Sequence, residues 1–190
     1  MGLKEIETKA WTSTFEDGIT DIVIGLILVV STICQLFDDL RYYLYPLYLV
    51  PVVFSMVAKR YVTVPRMGRV KFSVARNRKL YLLVSIMTAS ILLLLMLTFF
   101  GKLQQIANAG ILVGVIVFTI CVTIAYFMNF HRMYVYAVLF TASFAMSELA
   151  IARTGSIPGG AYAWAVSAAI ILTIGAYHLV RFIKRYPEAK

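Results

Sequence analysis

Six long apolar runs separated by short polar linkers dominate this sequence. Each run is long enough, at about 1.5 Å per residue in a helix, to cross a hydrocarbon layer about 30 Å thick. Hydrophobic residues make up 61% of the chain and charged residues 14%, whereas soluble domains contain about 25% charged residues. We therefore predict an all-α membrane protein, a six-helix transmembrane bundle. The predicted spans cover residues 19–37, 42–58, 81–100, 108–130, 133–151 and 161–180.

A basic segment, residues 59–79, separates the second and third runs. It holds eight cations and no acid. Lys and Arg near membrane helices stay on the cytoplasmic side. With both termini inside, fifteen Lys and Arg lie on the cytoplasmic side and three outside. This asymmetry predicts a multi-pass protein of a prokaryotic inner or plasma membrane, with both termini cytoplasmic. The net charge of +9 then reflects topology and anionic lipid, and no nucleic-acid partner is expected.

The pattern within residues 59–80 predicts a cytoplasmic β-hairpin. The β-branched residues of 61–64 indicate a strand, Pro65 and Gly68 fit a type I turn, and residues 69–74 alternate between apolar and polar. The exposed edge of such a hairpin favours pairing across a twofold axis, so a homodimer is expected. Six of its cations are candidates for binding anionic lipid or a protein partner: Arg66, Arg69, Lys71, Arg76, Arg78 and Lys79.

The chain is predicted to form one integral membrane domain, residues 1–190. Residues 1–18 form a cytoplasmic N-terminal segment, in which Ser13 and Glu16 fit a capping box that would start a helix before Asp17. Spans one and two occupy 19–58, the hairpin 59–80, spans three to six 81–180, and a cytoplasmic tail 181–190.

Two features predict the internal geometry of the bundle. Pro46 and Pro51 each remove a backbone donor, so span two should be bent or locally opened. Small residues at four-residue spacing predict close helix packing in spans four to six. These residues are Gly110 and Gly114, then Ala137, Thr141 and Ala145, then Ala161, Ala165 and Ala169.

Glu148 is the clearest ionisable residue at membrane depth, where such groups are costly. It shares a helical face with Thr141 and Ala145 and should point into the bundle, with Arg153 as its most available partner. Two interpretations remain: an ion pair or hydrogen bond that locks spans five and six together, or a role in binding or proton movement.

Two carboxylates and two imidazoles are weaker candidates, on the inner side. Asp17 and Asp21 are one helical turn apart, and His131 and His178 lie at a similar predicted depth. Together they would suit a divalent metal or a proton relay. Alternatively, Asp21 caps a helix or pairs with the basic segment, and the histidines lie at headgroup level.

Known catalytic motifs are absent from the sequence, including HExxH, GxSxG and a Gly-rich phosphate loop. We therefore expect no enzymatic activity and no cofactor. Cys34 and Cys121 lie inside apolar runs without a CxxC pattern, as is typical of small buried side chains.

Two short motifs carry a family resemblance. They are F-E-D-G in residues 15–18, ahead of the first span, and T-x-P-R-x-G-x-V-K-F in residues 63–72 after the second. The chain resembles, over about its first 80 residues, small uncharacterised prokaryotic multi-pass membrane proteins, some loosely labelled permeases. The resemblance implies the six-span layout and carries no established activity. It also implies that Glu16 and Asp17 contact the basic segment and so tie it to span one.

Two functional hypotheses follow. In the first, the protein is a small-solute or ion transporter or a channel-like protein, with span two and Glu148 along the route. In the second, it is a non-catalytic homodimeric membrane module whose basic hairpin binds anionic lipid or a protein partner.

Overall fold

The computed structural model describes residues 15–67, 74–99, 109–155 and 158–187. Throughout these ranges the chain forms helices and turns, with no strand. We number six helices: α1 (Ile19–Leu36), α2 (residues 41–67), α3 (Val74–Phe99), α4 (Ala109–Met128), α5 (Arg132–Thr154) and α6 (Pro158–Arg185).

Five of these helices are long and apolar enough to cross a membrane, namely α1, α2, α4, α5 and α6. They confirm the corresponding predicted spans and show a multi-pass membrane protein. α3 runs through the region of the third predicted span and is 26 residues long. Its apolar stretch is the shorter Tyr81–Ser90, as far as the described residues extend.

α2 changes its helical geometry several times along its length. Arg41–Leu44 is α-helical, Tyr45–Tyr48 is a 3₁₀ turn, Leu49–Ala58 is α-helical, Lys59–Thr63 is a π turn and Val64–Met67 is α-helical again. Pro46 lies in the 3₁₀ turn, and this local change confirms that the proline interrupts the helix.

The first strand of the predicted β-hairpin is wrong, because residues 59–67 continue α2 as a helix. Val62, Thr63 and Val64 favour strands locally, but a helix leaving the bilayer satisfies its backbone groups within one segment. A proline in a helix clashes with the carbonyl four residues earlier, which for Pro65 is that of Tyr61, and the wider π turn relieves this crowding. Of the predicted second strand, residues 69–73 lie outside the described residues, and Val74 begins α3.

The described residues belong to two compact units. One contains Met1–Lys71 and Ser156–Lys190, and the other contains Phe72–Gly155. In the first unit, α1 packs mainly on α6 and also on the Leu49–Ala58 part of α2. In the second unit, α4 packs along α5.

Glycines set the distance between α1 and α6. A methyl group added at Gly25 would lie 2.7 Å from the side chain of Leu172, and one at Gly175 would lie 2.8 Å from the backbone nitrogen of Ile22. Since positions 22 and 25 meet 175 and 172 in reverse order, the two helices are antiparallel. Of the predicted packing residues on α6, Ala161 is buried, whereas Ala165 and Ala169 are exposed. Ala168 and Ile171 are also buried on this helix.

The antiparallel pair α4–α5 follows the predicted small-residue pattern. Gly114 lies against the side chain of Phe144, and its carbonyl accepts a 3.3 Å hydrogen bond from the hydroxyl of Thr141. Ala137 has no exposed surface. The close packing expected at the small residues of spans four and five is present in this pair, whereas α6, the sixth span, packs on α1 in its own unit.

Candidate functional site

The start of α1 is tied to the π turn of α2 by Asp17. Its Oδ1 accepts a 3.0 Å hydrogen bond from the backbone nitrogen of Ile19, and its Oδ2 accepts a 2.7 Å bond from the hydroxyl of Thr63. Asp17 has no exposed surface and Thr63 is buried. α1 begins at Ile19, so the prediction that a helix would start before Asp17 is wrong; Ser13 lies outside the described residues.

A second contact joins the same two segments. The ammonium group of Lys59 lies 5.7 Å from the centre of the Phe15 ring, a cation–π geometry. Residues 15–17 therefore contact residues 59–63 through both a ring and a carboxyl group. The predicted contact between Asp17 and the basic segment is present, and its partner is the hydroxyl of Thr63. Glu16 instead faces Arg185 of α6, with 3.9 Å between Oε2 and Nη1.

The N-terminus of α1 makes an unusually close approach to α6. Gly18 has a positive φ of 70°, and a methyl group there would collide with the carbonyl oxygen of Gly175 and crowd Cβ of His178. One turn further along, Cβ of Asp21 lies at Gly175. Asp21 has no exposed surface. The structure thus brings Asp17, Asp21 and His178 to one helix contact, which we call the acidic contact, defined by Asp17, Asp21, Thr63, Gly175 and His178.

A small groove leads to this contact from the end of α6. It has a volume of about 190 Å³ and is lined by Glu16, His178, Arg181, Phe182, Arg185 and Tyr186. Phe182 is buried, whereas Arg181 and Arg185 are exposed. His178 therefore takes part both in a groove open to the surface and in the contact that buries Asp21.

Only three of the four residues predicted as a metal site lie at the acidic contact, and His131 does not. His131 is exposed in the turn before α5 and belongs to the other compact unit. Within the described ranges no group of three or more His, Cys, Asp or Glu side chains could hold a metal ion. The side chains that the contact brings together are therefore two carboxyl groups and one imidazole, and an imidazole can act as a proton shuttle.

Glu148 points into a helix contact, as expected, but with a different partner. Its Oε2 accepts a 3.1 Å hydrogen bond from the backbone nitrogen of Gly110, in the first turn of α4. The first amides of a helix lack partners within the helix and carry a partial positive charge, so a carboxyl group there stabilises the helix end. Arg153 is exposed, and among the described residues no ion pair joins it to Glu148. This hydrogen bond locks α5 to α4, whereas the locking interpretation had placed the contact between spans five and six.

The predicted lipid-binding cations are described only in part. Arg66 donates from Nη1 to the carbonyl of Val62 at 2.9 Å, within α2. Arg78 is exposed near the start of α3. Arg69 and Lys71 lie outside the described residues, and only the backbone positions of Arg76 and Lys79, in α3, are described.

Three features of the site were not predicted from the sequence. They are Thr63 as the partner of Asp17, the glycine pair Gly18 and Gly175, and Arg181 and Arg185 as groove cations. The sequence does contain a signal for the pairing of Thr63 with Asp17, since Thr63 begins the second of the two motifs that carry the family resemblance. The sequence contains no signal for the glycine pair, because a single glycine in an apolar run does not show which helix it faces.

Comparison of the chain with protein-family models, with curated proteins and with solved structures gives no match. The functional argument therefore rests on the geometry of the acidic contact and of the helices that form it.

Proposed function

We propose that this multi-pass membrane protein is a proton-conducting or proton-coupled transporter of a small ion or solute. The observation that carries the proposal is Asp21, a carboxyl group with no exposed surface in the first turn of a membrane helix. Ionisable groups inside membrane segments are rare and commonly mark ion or proton pathways.

The surroundings of Asp21 support a proton relay. His178 lies at the same helix contact and lines a groove open to the surface. An imidazole titrates near neutral pH, so it can pass protons between water and a buried carboxyl group. In the proposed route a proton enters through the groove, binds His178 and passes to Asp21.

The geometry of α2 adds a second argument. Its π turn holds Thr63 against Asp17, and its 3₁₀ turn lies about one bilayer leaflet away. π turns are frequent at functional sites, and interrupted helices are typical of transporter binding regions. A relay beside an irregular helix offers a place where substrate movement and protonation are coupled.

A flux assay tests the proposal directly. The purified chain is reconstituted in vesicles that contain a pH-sensitive dye, and a potassium diffusion potential drives protons inward. We expect faster acidification than in protein-free vesicles, and loss of that difference in Asp21→Asn and His178→Gln. Asp39→Asn is the matched control, because Asp39 is an exposed carboxyl group in the loop after α1.

Two outcomes would overturn the proposal. One is a wild-type protein that acidifies vesicles no faster than lipid alone. The other is an Asp21→Asn variant that retains the wild-type rate. Because Asp21 is fully buried, each variant is first checked for an unchanged thermal transition in detergent; His178 is half-buried, so His178→Gln provides a second reading if Asp21→Asn is unstable.

The alternative function, a homodimeric module whose basic hairpin binds lipid or protein, gains no specific support. Its first strand is helical, and Arg69 and Lys71 lie outside the described residues.

A further inference from the structure

The C-terminal end of α6 presents three exposed cations on two turns of helix. They are Arg181, Lys184 and Arg185. Lys184 and Arg185 lie in the last turn, where the helix dipole favours positive charge. Glu16 is the acid that faces this cluster, and it approaches Arg185 at 3.9 Å, with both side chains about half exposed or more. Arg181 and Lys184 add positive charge that Glu16 does not offset.

These cations line a second open groove, which shares Arg181 and Arg185 with the one at His178. It has a volume of about 490 Å³ and is formed by Tyr177, Val180, Arg181, Lys184 and Arg185. Its lining is graded along the helix: Tyr177 and Val180, which are exposed, lie towards the membrane interior, and the cations lie at the helix end. Tyr177 and Lys184 are seven positions apart, which is about 10 Å along the helix axis.

This gradient fits one class of ligand. A phosphate group binds guanidinium and ammonium groups through charge-assisted hydrogen bonds, and basic pockets at the ends of membrane helices bind anionic lipid head groups. The apolar part of the groove, one to two turns deeper, suits the first methylenes of an acyl chain. A soluble anion would use the cations alone and leave Tyr177 and Val180 without a role.

We propose that this groove is a specific site for one anionic phospholipid, with its phosphate at Arg181 and Lys184 and its acyl chain along Tyr177 and Val180. The site lies on α6, outside the basic segment between α2 and α3, and it does not depend on proton transport.

Native mass spectrometry of the full chain in detergent tests the site with phosphatidylglycerol as the probe. Phosphatidylcholine of the same acyl chains is the comparison, because it is zwitterionic and its choline group offsets the phosphate charge. We expect one phosphatidylglycerol molecule to be retained in preference to phosphatidylcholine. Lys184→Gln and Arg181→Gln should each weaken that binding about fivefold, the effect of one cation near an anionic lipid surface. Arg60→Gln is the matched control, since Arg60 is an exposed cation in the π turn of α2 and lines neither groove.

Three results would overturn the proposal. They are equal retention of the two lipids, equal effects of Lys184→Gln and Arg60→Gln, and displacement of the lipid by glycerol 3-phosphate at the same concentration. The last result would show a site for a soluble phosphate. The side chain of Lys184 is exposed, so its variant reports on binding and not on folding.

Discussion

The hydroxyl of Thr63 donates a 2.7 Å hydrogen bond to Oδ2 of Asp17, across 46 residues of sequence. The bond joins the residue before the α1 N-cap to the last residue of the π turn in α2. Because Asp17 has no exposed surface, water does not replace this donor when it is lost. The relative position of α1 and the C-terminal end of α2 depends on this pair.

Thr63→Val removes the donor while preserving the shape of the side chain. We expect the free energy of unfolding to fall by about 1–3 kcal/mol, because a buried acceptor loses its partner. Thermal denaturation in detergent measures the change. Thr119→Val is the control: its hydroxyl is exposed and bonds to Val115 of its own helix, so the expected change is within about 0.5 kcal/mol. Equal effects of the two substitutions would contradict the role assigned to Thr63.

Gly175→Ala tests the approach of α1 to α6. The added methyl group would lie 2.8 Å from the backbone nitrogen of Ile22, so the helices must separate, at a cost of about 1–3 kcal/mol. The neighbouring Ala176 is exposed, and Ala176→Leu should leave the thermal transition unchanged. A Gly175→Ala protein as stable as the wild type would show that the contact is looser than described.

Glu148 should affect stability and not proton movement. Glu148→Gln keeps an oxygen acceptor for the Gly110 amide and loses only the charge at the helix end, a loss of about 0.3–1 kcal/mol. Glu148→Ala also loses the hydrogen bond, and by analogy with helix caps it should cost about 0.5–2 kcal/mol. Vesicle acidification should match the wild type in both variants. A Glu148→Gln protein with normal stability and no proton flux would restore the transport role considered from the sequence.

The proposed topology places both termini and the basic segment in the cytoplasm. Single cysteines are introduced at exposed positions after replacement of Cys34 and Cys121 by Ala. We expect Asp39→Cys and Ala152→Cys to react with a membrane-impermeant maleimide on intact cells, and Tyr61→Cys and Pro187→Cys to react only after permeabilisation. The opposite pattern, or labelling of positions 61 and 187 on different sides, would refute the six-span topology with both ends inside.

The extent of the membrane helices could be predicted from the sequence because bilayer thickness fixes their length. α1 ends one residue from its predicted boundary, and α4 and α5 begin and end within three. The packing of Gly114 on Thr141 could also be predicted, since small residues allow close approach of backbones in lipid.

The partners of charged and β-branched residues could not be predicted in the same way. Thr63 lies among β-branched residues that favour a strand locally. It is helical because the segment continues the preceding helix. Arg153, five residues away, was the obvious partner of Glu148, but the observed partner is the backbone amide of Gly110. Because nearly every residue has a backbone N–H group, the sequence does not single out this one. Ala165 and Ala169 were expected to pack, but alanine suits lipid as well as protein, so their spacing did not identify the buried face of α6.

The two irregular turns of α2 act on its twist in opposite directions. A 3₁₀ turn advances about 120° per residue, against about 100° in an α-helix, so Tyr45–Tyr48 overwinds the chain, and the wider Lys59–Thr63 turn underwinds it. The ten residues between the two turns, Leu49–Ala58, are therefore rotated about the helix axis relative to their positions in an unbroken helix. The rotation that the 3₁₀ turn introduces and the one that the π turn introduces have opposite signs. If both turns changed to α-helical geometry together, the Leu49–Ala58 segment would rotate about the helix axis. The angle about that axis between Tyr42 and Thr63 would stay nearly the same.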